Sequence, residues 1–242
     1  MLMEHELLPY TASELPEGPW LVFAPHADDE TFGMGGSLLL AAEQNIETHV
    51  VFVTDGALGG EGNRQALIDK RIEEATQATN ALGVNSIHFF GEPDRGLQFD
   101  EQITSSIVKL IAELTPHSIF FPTPMEYHPD HRVTTRLVWQ SIQLSEGFAG
   151  EAYSYEISTL APINLLLDTS EVAQQKYEIV KIYASQLTQA KYLALVKAID
   201  TARTFSLPID RVAAEGFFKF ANKNASIEEQ LIQCIPPFFK GI

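Results

Sequence analysis

Two short polar clusters hold the residues most able to do chemistry: Pro25-His26-Ala27-Asp28-Asp29-Glu30 and His128-Pro129-Asp130-His131. Each follows an apolar run, Trp20-Leu21-Val22-Phe23-Ala24 in one case and Ser118-Ile119-Phe120-Phe121-Pro122 in the other. Imidazoles and carboxylates in this mixture are the ligand set for a divalent metal with an open position, with an acid and a base to spare. His26 and Asp29 can both turn inward from one tight loop, and His131 can join them from the other. Two imidazoles and one carboxylate leave room for water, the pattern of a catalytic rather than a structural metal. Bound Zn²⁺ lowers the pKa of its water from 15.7 to about 7. Asp28, beside a ligand but free, is placed to take the proton. His128 can face a developing oxyanion as a charge or protonate a leaving amine. Glu30 suits a supporting or helix N-terminal place. If the two loops meet, the chain is a metal-dependent hydrolase.

The loops meet only if the strands before them are neighbours. Residues 19–24 read as a buried strand, and Gly33 to Glu43 as a helix. Thr48–Thr54 is a second strand, stopped by Asp55-Gly56. A helix follows over 64–82, with Ile68, Ile72, Ala75, Thr79 and Leu82 on one face and Gly83 as its stop. Ser86 to Phe90 is a strand, 101–114 a helix, 118–122 a strand, and a further helix runs to about Leu144. Beyond it, Tyr153 to Leu160 reads as a strand and 171–186 as a helix. The rest, 188–242, is mixed, with an antiparallel edge expected over 204–220. This alternation predicts an α/β fold: a Rossmann-like, mostly parallel sheet with helices on both faces and a less regular C-terminal part. In such sheets ligands sit beyond the carboxyl ends of the strands, where the strand order reverses. With the order 3-2-1-4-5, strands one and four are adjacent there, and both clusters leave them. The absence of a linker or repeat makes 1–242 one domain.

Composition narrows the partners. The 242 residues include 32 acidic and 16 basic ones, a net charge of −16, which disfavours nucleic acid and anionic membranes. With 45% hydrophobic residues the chain should be globular. No run is long enough to span a bilayer, and no secretory leader is legible at the start. Cys234 is the sole cysteine, which suits a reducing cytoplasm. A small-molecule substrate is expected, and a homo-oligomer is compatible with all of this. Two competing readings carry weight. Two His and a carboxylate also describe a non-haem Fe(II) triad, although those oxygenases favour other folds. A scaffold that lost its substrate would need neither Asp28 nor His128.

Taken together, these motifs resemble the zinc-dependent N-acetylglucosaminyl deacetylases, the LmbE-like or PIG-L family. The likeness extends to Thr54-Asp55-Gly56, Arg71-x-x-Glu74 with Leu82-Gly83, Pro93-Asp94-x-Gly96-Leu97, Tyr183-x-Ser185-Gln186 and Ala214-Glu215-x-Phe217. The resemblance implies zinc, or Fe²⁺ in the cell, on His26, Asp29 and His131, with Asp28 as general base and His128 as its electrostatic or acid partner. It further implies that Arg71 and Asp94 contact sugar hydroxyls, and that an N-acetyl group is removed from an N-acetylglucosamine-type sugar or conjugate. The rival within this class is amide cleavage in another acylated conjugate. Ala27 stands where the family usually has Pro, and Arg95 where Gly is more usual after the Asp, which alters the substrate rim. By residue type alone, Arg71 and Glu74 could equally be a solvated ion pair, and Asp94 a turn cap. Gly33, Gly35 and Gly36 read as close helix–sheet packing, and Gly59 to Gly62 as a lid.

Overall fold

The computed structural model describes residues 10, 12–58 and 63–233. The glycine loop at 59–62 and Cys234 lie outside the described residues. The strands are β1 (Trp20–Ala24), β2 (Thr48–Thr54), β3 (Ser86–Glu92), β4 (Ser118–Pro122), β5 (Glu151–Tyr155), β6 (Leu165–Asp168) and β7 (Ala214–Phe220). The helices are α1 (Asp29–Glu43), α2 (Arg64–Leu82), α3 (Glu101–Leu114), α4 (Pro129–Leu144), α5 (Ala173–Val180), α6 (Ala184–Leu187), α7 (Tyr192–Ala202) and α8 (Ile227–Ile232).

All seven strands join one sheet in the order β3-β2-β1-β4-β5-β7-β6. The first five are parallel, and β7 runs antiparallel between β5 and β6. The doubly wound order therefore holds, and β1 and β4 are hydrogen-bonded neighbours. Both strands are buried along their whole length, as a parallel strand covered on two faces must be. Successive β1 residues serve opposite cores. Trp20, Val22 and Ala24 pack with α1, α2 and α5, whereas Leu21 and Phe23 pack with α3 and α4.

Strands β6 and β7 complete the sheet, and α5 and α7 complete one of its layers. Four expectations need correction. The antiparallel strand is Ala214–Phe220 rather than 204–220, and it lies inside the sheet with β6 as the edge. The strand expected over Tyr153 to Leu160 ends at Tyr155. Helix α1 begins at Asp29 instead of Gly33, because its polar first turn is buried. The buried face of α2 is Arg71, Glu74, Ala75, Ala78, Thr79 and Leu82, with Ile72 exposed.

Helix α1 kinks at Met34, and the freed Gly36 and Ser37 N–H groups donate to the Glu215 carboxylate at 2.7 and 2.8 Å. Buried Lys176 neutralises Glu215 at 2.8 Å and Asp200 at 2.8 Å. Close approach explains Gly33: a Cβ there would fall 2.4 Å from the Glu156 carbonyl oxygen.

Candidate active site

The loop between β1 and α1 is folded tightly on itself. Asp28 has φ 141°, a strained value for a residue with a side chain. Its N–H donates to Glu30 Oε2 at 3.2 Å, and the Tyr183 hydroxyl donates to Glu30 Oε1 at 2.6 Å. From the other side, Arg71 Nη2 donates to the Ala27 carbonyl at 2.7 Å and stands 3.4 Å from Asp28 Oδ2. Gly56 makes this reach available, since a Cβ there would lie 2.6 Å from Arg71 Nε, and its φ is +60°.

Across the sheet's switch point, Pro129 opens α4 behind His128, and His131 turns toward the first loop. The two clusters meet as three atoms at equal spacing. His26 Nδ1, Asp29 Oδ2 and His131 Nε2 lie 3.2 Å from one another. Tetrahedral bonds of about 2.0–2.1 Å set ligand atoms about 3.3–3.4 Å apart, so this triangle has the dimensions of three ligands of one ion. The outer nitrogens of both imidazoles face carboxylates, as in metal sites whose histidines are held from behind. His26 Nε2 lies 3.2 Å from Asp130 Oδ2 and 3.4 Å from Asp94 Oδ1. His131 Nδ1 faces Glu126 Oε2 at 3.6 Å, just beyond hydrogen-bond contact. Glu126 is itself anchored by the Ile157 and Ser158 N–H groups, both at 2.9 Å.

Electrostatics sharpen the arrangement. Burial alone would discharge His26, but the carboxylates of Asp130, Asp29 and Asp94 outweigh it and hold the imidazolium well above the usual range. Burial likewise disfavours charge on His131, yet Asp29 and Glu126 push it up to about 9. Asp29 is held far below the ordinary carboxylate range, since His131 and His26 overcome its burial. Burial raises Asp28 to about 8, opposed by Arg71 and assisted by Asp29. His128 goes the other way: burial, then His26 and His131, lower it. Its Nδ1 accepts the Asp130 N–H at 3.3 Å, which leaves the proton on Nε2.

A cavity of about 410 Å³ opens over these groups. His26, Asp28, Asp29, His128 and His131 line it together with Arg71, Asp94 and Arg95, and Phe32, Tyr127, Ile157 and Tyr192 supply apolar wall. All seven residues singled out from the sequence thus border one space. Arg71 and Glu74 are not a solvated pair. Both are buried, and Glu74 instead accepts from Ser185 N–H at 3.0 Å and from the Ser185 hydroxyl at 2.6 Å. Asp94 caps no turn. Its Oδ2 accepts from Leu58 N–H at 3.0 Å, and despite burial its bond to His26 holds it at about 2. Sequence reasoning gave no part to Asp130, Glu126 or Tyr127. Asp130 and Glu126 stood within five residues of His131, and that proximity was the available signal.

Comparison with known proteins follows the same lines. The family model described as PIG-L, GlcNAc-PI de-N-acetylase, matches residues 21–142. Diacetylchitobiose deacetylase of Thermococcus kodakarensis is 28% identical over 188 residues, covering 70% of each chain. The 4-oxalmesaconate hydratase of Pseudomonas putida is 26% identical over 234 residues, covering 83% of this chain and 88% of that one. The solved N,N'-diacetylchitobiose deacetylase from Pyrococcus horikoshii superposes with a TM-score of 0.76 at 23% identity, covering 83% of each chain. The matched stretch runs from β1 into α4 and contains both polar clusters, Arg71 and Asp94, so the chain belongs to the PIG-L (LmbE-like) deacetylase family.

Proposed function

We propose that this protein is a metal-dependent N-deacetylase of an N-acetylglucosamine-type amino sugar or sugar conjugate, with zinc on His26, Asp29 and His131. The observation that carries it is the equal-sided triangle of donor atoms with Asp28 and His128 bordering the same cavity. A divalent cation held there supplies Lewis acidity, polarising the amide carbonyl and making water nucleophilic near neutral pH. Asp28 takes the proton of the attacking water as the carbonyl carbon becomes tetrahedral. His128, neutral by its lowered pKa, donates its Nε2–H to the oxygen that gains the charge. The C–N bond then breaks, and Asp28 returns the proton to the departing nitrogen. Acetate and a free amine result. A carboxyl raised by burial suits both halves of this transfer. Arg71 holds the Ala27 carbonyl and Asp94 holds His26, and the lining of the cavity by both residues supports a role for them in contacting the sugar hydroxyls.

The hydratase relative motivates one second reading, addition of water to an activated carbon–carbon double bond. One assay separates the two. Zinc-loaded protein is given N-acetylglucosaminides and, separately, 4-oxalmesaconate. Acetate release that stops on chelation and returns with zinc is the expected result. Metal-dependent hydration without acetate release would replace the deacetylase reading. We assign the reaction to the cytoplasm on the single cysteine, and no helix of the described residues is long and apolar enough to cross a membrane.

A further inference from the structure

We propose that Arg95 is a specificity residue that receives an oxyanion, carboxylate or phosphate, on the aglycone of the substrate. Three observations converge on it. Arg95 sits at φ +55°, in the left-handed region where a side chain crowds its own backbone and glycine does not. The strain is retained at a residue that lines the cavity beside the candidate metal ligands. Its backbone is fixed there, since the Arg95 N–H donates to Asp130 Oδ2 at 2.7 Å, the oxygen that also meets His26.

The second observation is the guanidinium itself. Arg64, Arg203 and Arg211 pair with carboxylates, Arg71 and Arg132 bind carbonyls, and Arg136 lies over Phe99. Among the described arginines, Arg95 alone has no hydrogen bond, ion pair or ring contact from its side chain. The third is the state of its neighbours. Asp94 is committed to His26 and Leu58, and Asp130 to His26 and the Arg95 backbone. The Arg95 charge is therefore left to whatever enters the cavity. In a chain of net charge −16 an anionic ligand meets long-range repulsion, and an exposed, unpaired guanidinium at the rim, on a backbone held by Asp130, is what would offset it.

The sugar half of the ligand rests on the deacetylase reading, but the test of Arg95 does not depend on turnover. Zinc-loaded protein is titrated calorimetrically with three glucosaminides that differ only at the aglycone end, which is a carboxylate, a phosphate or a neutral amide. At least one anionic ligand should bind about tenfold more tightly than the amide, and the stronger of the two identifies the group. In Arg95→Gly that ratio should collapse toward one, and Arg95→Lys should keep part of it. Glycine relieves the positive φ, so the melting temperature of Arg95→Gly should not fall, which guards against misfolding as the cause. A ratio near one in the unmodified protein, no detectable binding of either anion, or a ratio unchanged in Arg95→Gly would overturn the proposal. Failure of the deacetylase reading shows separately, as no acetate release from the N-acetylated forms of the same glycosides.

Discussion

Asp28 combines two properties that rarely meet in one residue, a strained backbone and a buried carboxyl raised to about 8. The strain is held by Glu30 on its N–H and by Arg71 on the preceding carbonyl. Asp28 lies outside the donor triangle, so its removal should spare the metal. Asp28→Asn is expected to keep zinc and lose at least about a hundredfold in kcat, the lower end for a general base. The sign of its pH dependence follows from the role. A base acts only when deprotonated, so kcat/KM should rise with pH through the Asp28 pKa. A bound dication opposes the effect of burial, which sets that rise below 8. Asp28→Asn should lose this rising limb, and a variant with full turnover or an unchanged limb would remove Asp28 from the mechanism.

Helix α1 decides where Asp28 and Asp29 stand. On α3 hydrophobic period alone picks out Ile103, Ile107, Leu110, Ile111 and Leu114, and the first four are buried while Leu114 is half-buried. On α2 the same rule chose Ile72, which is 40% exposed, over Arg71, which is buried to serve the loop. The first turn of α1 failed for the same reason: Asp29, Glu30 and Thr31 are buried by partners that a periodicity cannot see. Gly33 sets how closely α1 lies on β5. Gly33→Ala places a Cβ 2.4 Å from the Glu156 carbonyl oxygen and 2.5 Å from the Tyr155 ring. The forced shift should cost about 1–3 kcal/mol. At roughly 2–4 °C per kcal/mol the melting temperature should drop by several degrees, and calorimetry checks it. An unchanged melting temperature would mean that α1 rides on the sheet with slack.

At the scale of the molecule, one ion would tie the loop after β1 to the helix after β4, linking segments about a hundred residues apart in sequence. Such binding stabilises the folded state by mass action, about 4.1 kcal/mol when the ligand stands at a thousand times its Kd. The gain depends on pH. In the metal-free cluster His26 is held well above the usual range and His131 at about 9, so both carry protons that an ion must displace. Competition weakens as pH rises toward those values. The rise in melting temperature on adding zinc to chelated protein should therefore be larger at mildly alkaline than at mildly acidic pH. An equal gain at both would show that neither imidazole gives up a proton to the metal.

The apolar runs that make β1, β2 and β4, the alternation that makes the sheet parallel, and the two donor clusters at strand ends are local properties, and the sequence by itself determined them. The strand order followed from the alternation and the common topology of such sheets. In sequence Asp28 already reads as the carboxylate left free beside the candidate ligand Asp29, but which histidine each remaining carboxylate backs belonged to tertiary structure alone. Asp94 and Asp130 back His26, Glu126 faces His131, and Asp28 stays free of the triangle. Those pairings join residues as many as 104 positions apart, and packing sets them rather than period. The edge strand β6 has four residues, too short for a period-two signal to stand out. Arg95 reads in sequence as a departure at the substrate rim, where the family usually has Gly. Its positive φ, its place in the cavity and its lack of a partner exist only once the chain is folded.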